Sequence, residues 1–268
     1  MKLEIDATLT YGFASQTQII AAIEAARSPD QTILSETLTI TPATALIRDE
    51  DERSGERRFR ARLEGEVEIR YTALVDNGAR ETLHAGAAQH DWSELPHEVL
   101  PYLLPSRFCP SDEFLRFVQR EFRGVEAGGA RVLAMLDWLG NHLDYVHGVS
   151  TAQTTAQQTF IDRAGVCRDF SHLGITLTRA LNIPARAVSA YALDLVPPDF
   201  HAVFEVFLDG RWWLVDPTGL APVDGMVRIG SGRDAADIAF LSSDYNCQCL
   251  NQTIDVRRAS DDVDLQAA

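Results

Sequence analysis

Three residues of the sequence have the types needed for thiol chemistry: Cys167, His201 and Asp216. Cys167 lies in the segment 165–172, where a glycine-containing turn leads into a helical pattern. A thiol in the first turn of a helix lies at the positive end of the helix dipole and close to free N–H groups, which favours the nucleophilic thiolate. For a single cysteine, the alternative is a small apolar residue that helps the helix pack. The residues that follow therefore decide between the two roles.

A predicted β-hairpin brings the other two residues together. Asp209-Gly210 is a two-residue turn of the kind that hairpins prefer, so Leu208 should pair with Arg211. This register makes His201 and Asp216 diagonal neighbours on one face of the sheet, roughly 7–8 Å apart at Cα. A carboxylate in that position can accept the imidazole N–H and orient the ring. A histidine and an aspartate on one face, in a chain with a cysteine at a helix start, favour catalysis over coincidence.

The three residues together would form an activated nucleophile, a base and an orienting group. Cys167 would attack an amide or ester carbonyl and form a thioester, while His201 moves the proton. The backbone N–H of Cys167 can donate to the oxyanion, and a second donor is needed. Gln157 and Gln158, shortly upstream, are candidates for that donor, although surface roles fit them at least as well.

The elements that position these residues follow from hydrophobic periodicity. The helix that begins at Cys167 has buried positions at i, i+3, i+4 and i+7 and ends before Ile183-Pro184. A segment with an ambiguous pattern, 18–27, fits either a helix or a strand. A further helix is expected to open near Ser111 as its N-cap. The helices expected at 131–143 and 155–163 and the strand expected at 185–193 complete this half of the chain.

The first hundred residues predict a separate β domain. Strictly alternating segments at 3–11, 32–40 and 60–75 are typical of half-buried strands, and turn signals separate them. We therefore predict a β-sandwich-like domain over 1–100, a Pro-rich linker over 101–110 and a catalytic domain over 111–268. The last dozen residues are expected to form a frayed tail.

Composition narrows the class of protein. The chain has 268 residues, a formal net charge of −15 and a pI of about 4.8, which argues against nucleic acid or an anionic membrane as a partner. Charges near the start and the lack of an 18-residue apolar stretch lead us to expect a cytoplasmic protein. Four cysteines do not make a disulfide scaffold. The expected partner is a peptide or protein substrate.

The motifs resemble those of bacterial transglutaminase-like proteins, a family often described as putative cysteine proteases. The resemblance rests on Gly165-Val166-Cys167-Arg168-Asp169-Phe170-Ser171-His172, on 181–191, on His201-Ala202 and on Trp212-Trp213-Leu214-Val215-Asp216-Pro217-Thr218. The segment 102–107 also resembles the family's interdomain segment. The resemblance covers nearly the whole chain, because many bacterial members carry an N-terminal β domain.

The resemblance implies an α+β fold with a papain-like, transglutaminase-core catalytic domain, in which the nucleophile helix packs on an antiparallel sheet. It also implies the roles of Cys167, His201 and Asp216 as nucleophile, base and third member, and it favours a strand at 18–27. No cofactor and no metal are expected, because nothing matches the calcium sites of animal transglutaminases. No tryptophan lies between Trp138 and Cys167 to serve the oxyanion, which weakens the cross-linking assignment.

Three functions remain open at this point. Hydrolysis of a peptide or amide bond is the leading hypothesis, and transfer of the acyl group to an amine is the alternative with the same triad. A non-catalytic binding module on the same fold is the third.

Overall fold

The computed structural model describes residues 1–260. The twelve strands of the described residues, in chain order, are β1 Lys2–Ala21, β2 Thr32–Thr41, β3 Ile47–Glu50, β4 Arg57–Asp76, β5 Asp144–Tyr145, β6 Ala164–Gly165, β7 Ala185–Ala192, β8 Phe200–Leu208, β9 Arg211–Val215, β10 Met226–Gly232, β11 Leu241–Ser243 and β12 Cys247–Arg258. The four α-helices are α1 Leu115–Glu121, α2 Gly129–His142, α3 Ala156–Asp162 and α4 Cys167–Ala180. None of these helices is long and apolar enough to cross a membrane.

The N-terminal domain is built on two 20-residue strands, β1 and β4, which pair antiparallel over most of their length. Their buried positions alternate along the chain, as the sequence predicts for strands with one buried face. The α+β class with an N-terminal β domain is confirmed. The strands of the domain are hydrogen-bonded into one six-stranded sheet. The second layer of its core comes from the catalytic half, since Tyr191, Phe200 and Val227 are buried with it.

The C-terminal boundary of the predicted domains differs from the structure. β11 and β12 pair antiparallel with β1, so the chain returns to the N-terminal sheet after the catalytic sheet is complete. The prediction placed all of 111–268 in the catalytic domain because alternation marks a strand but does not name its partner. The expected frayed tail falls largely on residues 261–268, which lie outside the described residues.

Two local predictions need correction. Of the ambiguous segment 18–27, only the first four residues are strand, and residues 22–26 are a buried irregular stretch whose Ala26 N–H donates to the Arg228 carbonyl at 2.8 Å. Ser111 is not an N-cap, because it lies inside the 3-10 turn Ser111–Phe114, and α1 begins at Leu115.

The catalytic sheet has the strand order β10-β7-β8-β9 and is antiparallel throughout. α4 packs against β7 and β8 and is buried over almost its whole circumference. The close approach depends on Gly174, where an added Cβ would lie 2.7 Å from the Phe204 ring. The helix that carries Cys167 is therefore a central element of the core, and the helix start is held fixed relative to β8.

A buried ion-pair group joins the two halves. Glu205 on β8 accepts from Arg186 at 2.6 Å and from Arg228, and Arg228 also donates to Asp30 at 2.7 Å. Burial alone would raise the pKa of Glu205, but the two guanidinium groups outweigh it and lower the pKa. Because Asp30 follows β1, this group ties the N-terminal domain to the strand that carries His201.

Candidate active site

The start of α4 is shaped by its own sequence. Val166 is extended, and its N–H donates to the Asp169 carboxylate at 2.9 Å, so an acidic group caps the first turn. Gly165 is required there because an added Cβ would lie 2.6 Å from the Asp169 Cβ. Arg168 donates to the same carboxylate at 2.8 Å and to the Thr151 carbonyl at 2.7 Å. The turn before Cys167 is therefore fixed from both sides.

The β8–β9 hairpin has the predicted register. Leu208 pairs with Arg211 and Phe204 with Val215, and the turn residues Asp209 and Gly210 both have positive φ, as a two-residue hairpin turn requires. The next residue after β9 is Asp216. The His201 Nε2 and Asp216 Oδ2 atoms are 3.0 Å apart, so the two side chains lie on one face as expected.

Both oxygens of the Asp216 carboxylate accept hydrogen bonds. One oxygen accepts from the backbone N–H of Thr218 at 2.9 Å and from its hydroxyl at 2.7 Å, and the other accepts from the Ala221 N–H at 3.1 Å as well as from His201. Burial would raise the pKa of this carboxyl group, but the bonds from His201 and Thr218 lower it. Asp216 is therefore a fixed negative charge behind the imidazole.

His201 connects the carboxylate to the thiol. It is 1% exposed and also lies within hydrogen-bonding reach of Cys167. Because Nε2 is taken by Asp216, Nδ1 is the ring nitrogen left for the sulfur. Burial by itself would lower the pKa of His201, but the bonds to Asp216 and Cys167 outweigh it and raise the pKa to about 9. The arrangement therefore favours an imidazolium.

Cys167 is the most accessible of the three groups, since it is partly exposed whereas His201 and Asp216 are buried. The helix and the strand are tied together next to it, because the Ser171 hydroxyl donates to the Ala202 carbonyl at 2.9 Å. The structure thus brings together the three residues that the sequence predicts, with the sulfur on the side open to a substrate.

No hydrogen-bond contact of Gln157 or Gln158 with Cys167, His201 or Asp216 is present in the described residues, so a role for them at the oxyanion stays a prediction. Gln157 and Gln158 lie on α3 and are exposed, and the Gln158 amide donates to the Asp162 carboxylate at 2.7 Å. Ala156 and Thr159 are the residues of this helix that face the core.

Tyr145 lies beside the thiol, and sequence reasoning missed it. Its hydroxyl is within hydrogen-bonding reach of both the backbone N–H and the sulfur of Cys167. Burial first, and then the charge of Cys167, raise the pKa of Tyr145 to about 12, so it remains a donor at neutral pH. Two-residue strands β5 and β6 position it, pairing Tyr145 with Gly165. A parallel pairing this short leaves no periodic pattern in the sequence.

Metal binding has no evident place here. Within residues 1–260 there is no group of three or more His, Cys, Asp or Glu side chains arranged to hold a metal ion.

Comparisons with known proteins match both halves of the chain. Residues 116–217 match the family model of the transglutaminase-like superfamily, and residues 1–89 match the model of the bacterial transglutaminase N-terminal domain. The structure is similar to the crystal structure of a putative cysteine protease from Cytophaga hutchinsonii. The TM-score is 0.90 and the sequence identity 37%, over 98% of this chain and 92% of that one.

Two relatives from mycobacteria are described as uncharacterised proteins. One, from Mycobacterium leprae, is 26% identical over 198 residues, which is 68% of each chain. The other, from Mycobacterium bovis, is 31% identical over 127 residues, and the match spans 42% of this chain and 40% of that protein's length. The matches to both halves of the chain, together with the likeness over its whole length, place it in a family: the chain belongs to the transglutaminase-like superfamily and carries the bacterial transglutaminase N-terminal domain.

Proposed function

We propose that this protein is a thiol-dependent acyl-transfer enzyme that hydrolyses a peptide or amide bond through a Cys167–His201–Asp216 triad. The observation that carries the proposal is the chain of contacts at the site: the Asp216 carboxylate lies 3.0 Å from one nitrogen of His201, and Cys167 lies within hydrogen-bonding reach of the same ring. This chain supplies a nucleophile, a base and an orienting charge in the order that acyl transfer needs.

In the first step the Cys167 sulfur attacks the carbonyl carbon, and its proton is held on His201. The tetrahedral intermediate collapses when the His201 imidazolium gives that proton to the leaving amine, which breaks the C–N bond and leaves a thioester. In the second step His201 takes a proton from water, and the resulting attack releases a carboxylic acid and restores the thiol. Asp216 stabilises the imidazolium in both steps, which its lowered pKa supports.

The developing oxyanion needs two donors, and we assign them to the Cys167 backbone N–H and the Tyr145 hydroxyl. In the resting site this hydroxyl reaches both the N–H and the sulfur of Cys167. When a carbonyl oxygen enters, it can take over the N–H, and the phenol can turn its own proton from the sulfur to the oxygen. Each donor placed where charge develops lowers the activation free energy by about 3 kcal/mol.

Hydrolysis and transamidation differ only in the second step, where water or an amine attacks the thioester. The likeness to a crystal structure described as a putative cysteine protease favours hydrolysis. An amine as acceptor is the second candidate, on the ground that the same triad serves both reactions.

A screen of acyl donors tests the proposal. Fluorogenic amides, with and without added primary amines, are compared on the wild type and on Cys167→Ala, with product masses separating acid from substituted amide. We expect amide turnover by the wild type alone. Because Lys2 is the only lysine of the chain, a Lys2→Arg variant serves as the control for attachment of acyl groups to the enzyme itself. Equal turnover by wild type and Cys167→Ala would reject the thiol mechanism, and absence of any acyl-enzyme would favour the non-catalytic binding module.

A further inference from the structure

One exposed carboxylate lies close to the reacting centre without a role in the triad. Asp199 precedes His201 by two residues. Its Oδ1 accepts from the Phe200 N–H at 2.7 Å and from the side-chain amide of Gln252, which belongs to β12 of the N-terminal sheet. Within residues 1–260 its Oδ2 has no hydrogen-bond partner. The side chain is therefore held from two sides with one oxygen left for solvent or a ligand.

Asp199 directly precedes β8, and in an extended chain its side chain points to the same side as that of His201, two residues on. After burial and the contacts with Cys167, the charge of Asp199 also contributes to the raised pKa of Tyr145, whose hydroxyl is within reach of Cys167. Its carboxylate thus lies within electrostatic range of the atoms that would hold the acyl group.

No cation of the described residues neutralises Asp199 through a salt bridge. Arg168, which flanks the nucleophile, is already engaged with the Asp169 carboxylate and the Thr151 carbonyl. A carboxylate fixed by neutral donors and left unpaired at the edge of a reacting site attracts a positive group from the ligand.

We propose that Asp199 selects substrates that present a cationic group, an ammonium or a guanidinium, next to the reacting carbonyl. The proposal rests on the acyl-transfer function above and names the chemistry of its substrate. The cation has two sources: a basic residue of the acyl donor, or the ammonium form of an amine that accepts the acyl group. Through Gln252, the N-terminal sheet would also help to place this selecting group.

The first test measures local charge without any turnover. Cys167 is modified with methanethiosulfonates that carry an aminoethyl, a methyl or a sulfonatoethyl group. Peptide mass spectrometry separates Cys167 from the other free cysteines, Cys109, Cys247 and Cys249. Asp199→Asn keeps an oxygen that can accept both bonds, so the local structure should hold. Asp194→Asn is the matched control, because Asp194 is exposed in the same connection and its positive φ suits asparagine.

We expect the ratio of cationic to anionic modification rates at Cys167 to fall roughly threefold to tenfold in Asp199→Asn. It should change less than twofold in Asp194→Asn, and the neutral reagent should react at the wild-type rate in both. An unchanged ratio in Asp199→Asn, or the same fall in both variants, would overturn the proposal.

The second test identifies the source of the cation. Matched acyl donors with a basic, neutral or acidic residue beside the scissile bond are compared, and then a neutral donor with amines of different charge. A drop in kcat/KM of Asp199→Asn confined to basic donors places the cation on the donor, and a drop confined to charged amines places it on the acceptor. Equal selectivity of wild type and Asp199→Asn in both series would overturn the proposal. The wild type could turn over no donor while the ratio of cationic to anionic modification rates at Cys167 still falls in Asp199→Asn. That result would reject the acyl-transfer function and retain Asp199 as a group that attracts cations.

Discussion

A thiol, an imidazole and a carboxylate occur together at two places along α4, and the two sets are bonded differently. At its start, Cys167 meets His201 and Asp216. Deeper in the core, His172 of the same helix and the buried Cys109 both lie within electrostatic range of the buried Asp234. The two sets share a composition of thiol, imidazole and carboxylate. They differ in burial and in what each group is bonded to.

In the buried set the groups have separate partners. The Asp234 carboxylate accepts from the Phe108 N–H at 3.0 Å and from the Ala236 N–H at 2.9 Å. The His172 ring stacks on Phe108 and accepts from the Ala235 N–H at 3.1 Å, while its Nδ1 has no partner in the described residues.

As a result, the pKa values of the two histidines, His172 and His201, move in opposite directions. Burial raises the pKa of Cys109 to about 12 and lowers that of His172 to about 4, so both stay neutral. At the triad, the hydrogen bonds to Asp216 and Cys167 overcome burial and raise the pKa of His201 to about 9. The difference lies in the direct carboxylate–imidazole bond, which is present at His201 and absent at His172, rather than in the presence of the three residue types.

The largest expected contrast is between the two cysteines. Cys167→Ala should lower kcat by at least about 10³-fold, because the nucleophile is lost. Cys109→Ala should leave kcat within about twofold of the wild type and reduce the free energy of unfolding by about 1–2 kcal/mol, since it removes a buried side chain. Steady-state kinetics and urea denaturation measure the two effects. A well-folded Cys109→Ala protein with kcat lowered tenfold would break the comparison.

The two carboxylates, Asp216 and Asp234, should differ in the same way: replacing the first should lower kcat and replacing the second should lower stability. Asp216→Asn should lower kcat by about 10²- to 10⁴-fold with little change in fold, because an amide neither fixes the tautomer nor stabilises the imidazolium. Asp234→Asn should cost on the order of 1–2 kcal/mol in stability with kcat retained, because one backbone donor is left without its charged acceptor. Loss of kcat in a stable Asp234→Asn protein would contradict the assignment.

Tyr145 provides a further test of the difference between the two sets, because it is proposed as an oxyanion donor for Cys167 and has no proposed counterpart beside Cys109. Tyr145→Phe should lower kcat by about 10- to 100-fold and leave KM nearly unchanged, since the lost bond forms in the transition state. Phe117→Leu, on the aromatic cluster next to Trp138, is a control for general loss of packing. If KM rises while kcat is unchanged, Tyr145 binds substrate and another group stabilises the oxyanion.

The two histidines should give stability opposite dependences on pH. The raised pKa of His201 adds stability that is complete below about pH 6.5 and is lost as the pH rises towards 9. The lowered pKa of His172 adds stability that is complete above about pH 6.5 and is lost as the pH falls towards 4. Each limb should span on the order of 2–3 kcal/mol. Urea denaturation between pH 4 and 9.5 should show a maximum near pH 6.5.

Matched variants separate the two limbs. His201→Gln should flatten the alkaline limb and leave the acidic one, and His172→Gln should do the reverse, since glutamine can still accept from the Ala235 N–H. Parallel curves for wild type and both variants would contradict a raised pKa of His201 and a lowered pKa of His172.

Local features of this site could be read from the sequence because their causes are local. The Asp209-Gly210 turn fixes the hairpin register, and the register fixes which side chains share a face, so the His201–Asp216 contact followed from counting residues. The start of α4 at Cys167 likewise follows from a glycine turn and an apolar stripe.

Features that depend on distant pairing could not be read in this way. The pairing of β12 with β1 joins residues about 240 positions apart, and an alternating pattern carries no information on its partner. Tyr145 reaches Cys167 through a two-residue parallel pairing, and Asp199 is held by Gln252 from the far end of the chain. The contact between His201 and Asp216 was therefore predictable, whereas the approach of Tyr145 to Cys167 and the other surroundings of the site were not.

The central claim is that Cys167, activated by His201, forms a thioester. An activated ester of a small acid, reacted at pH 7 and analysed by intact and peptide mass spectrometry, tests it most directly in the wild type, Cys167→Ala and His201→Gln. The account predicts an acyl adduct on Cys167 of the wild type that hydroxylamine removes, none in Cys167→Ala and slow formation in His201→Gln. An adduct that persists in Cys167→Ala, or one that forms on Cys167 equally fast without His201, would contradict it.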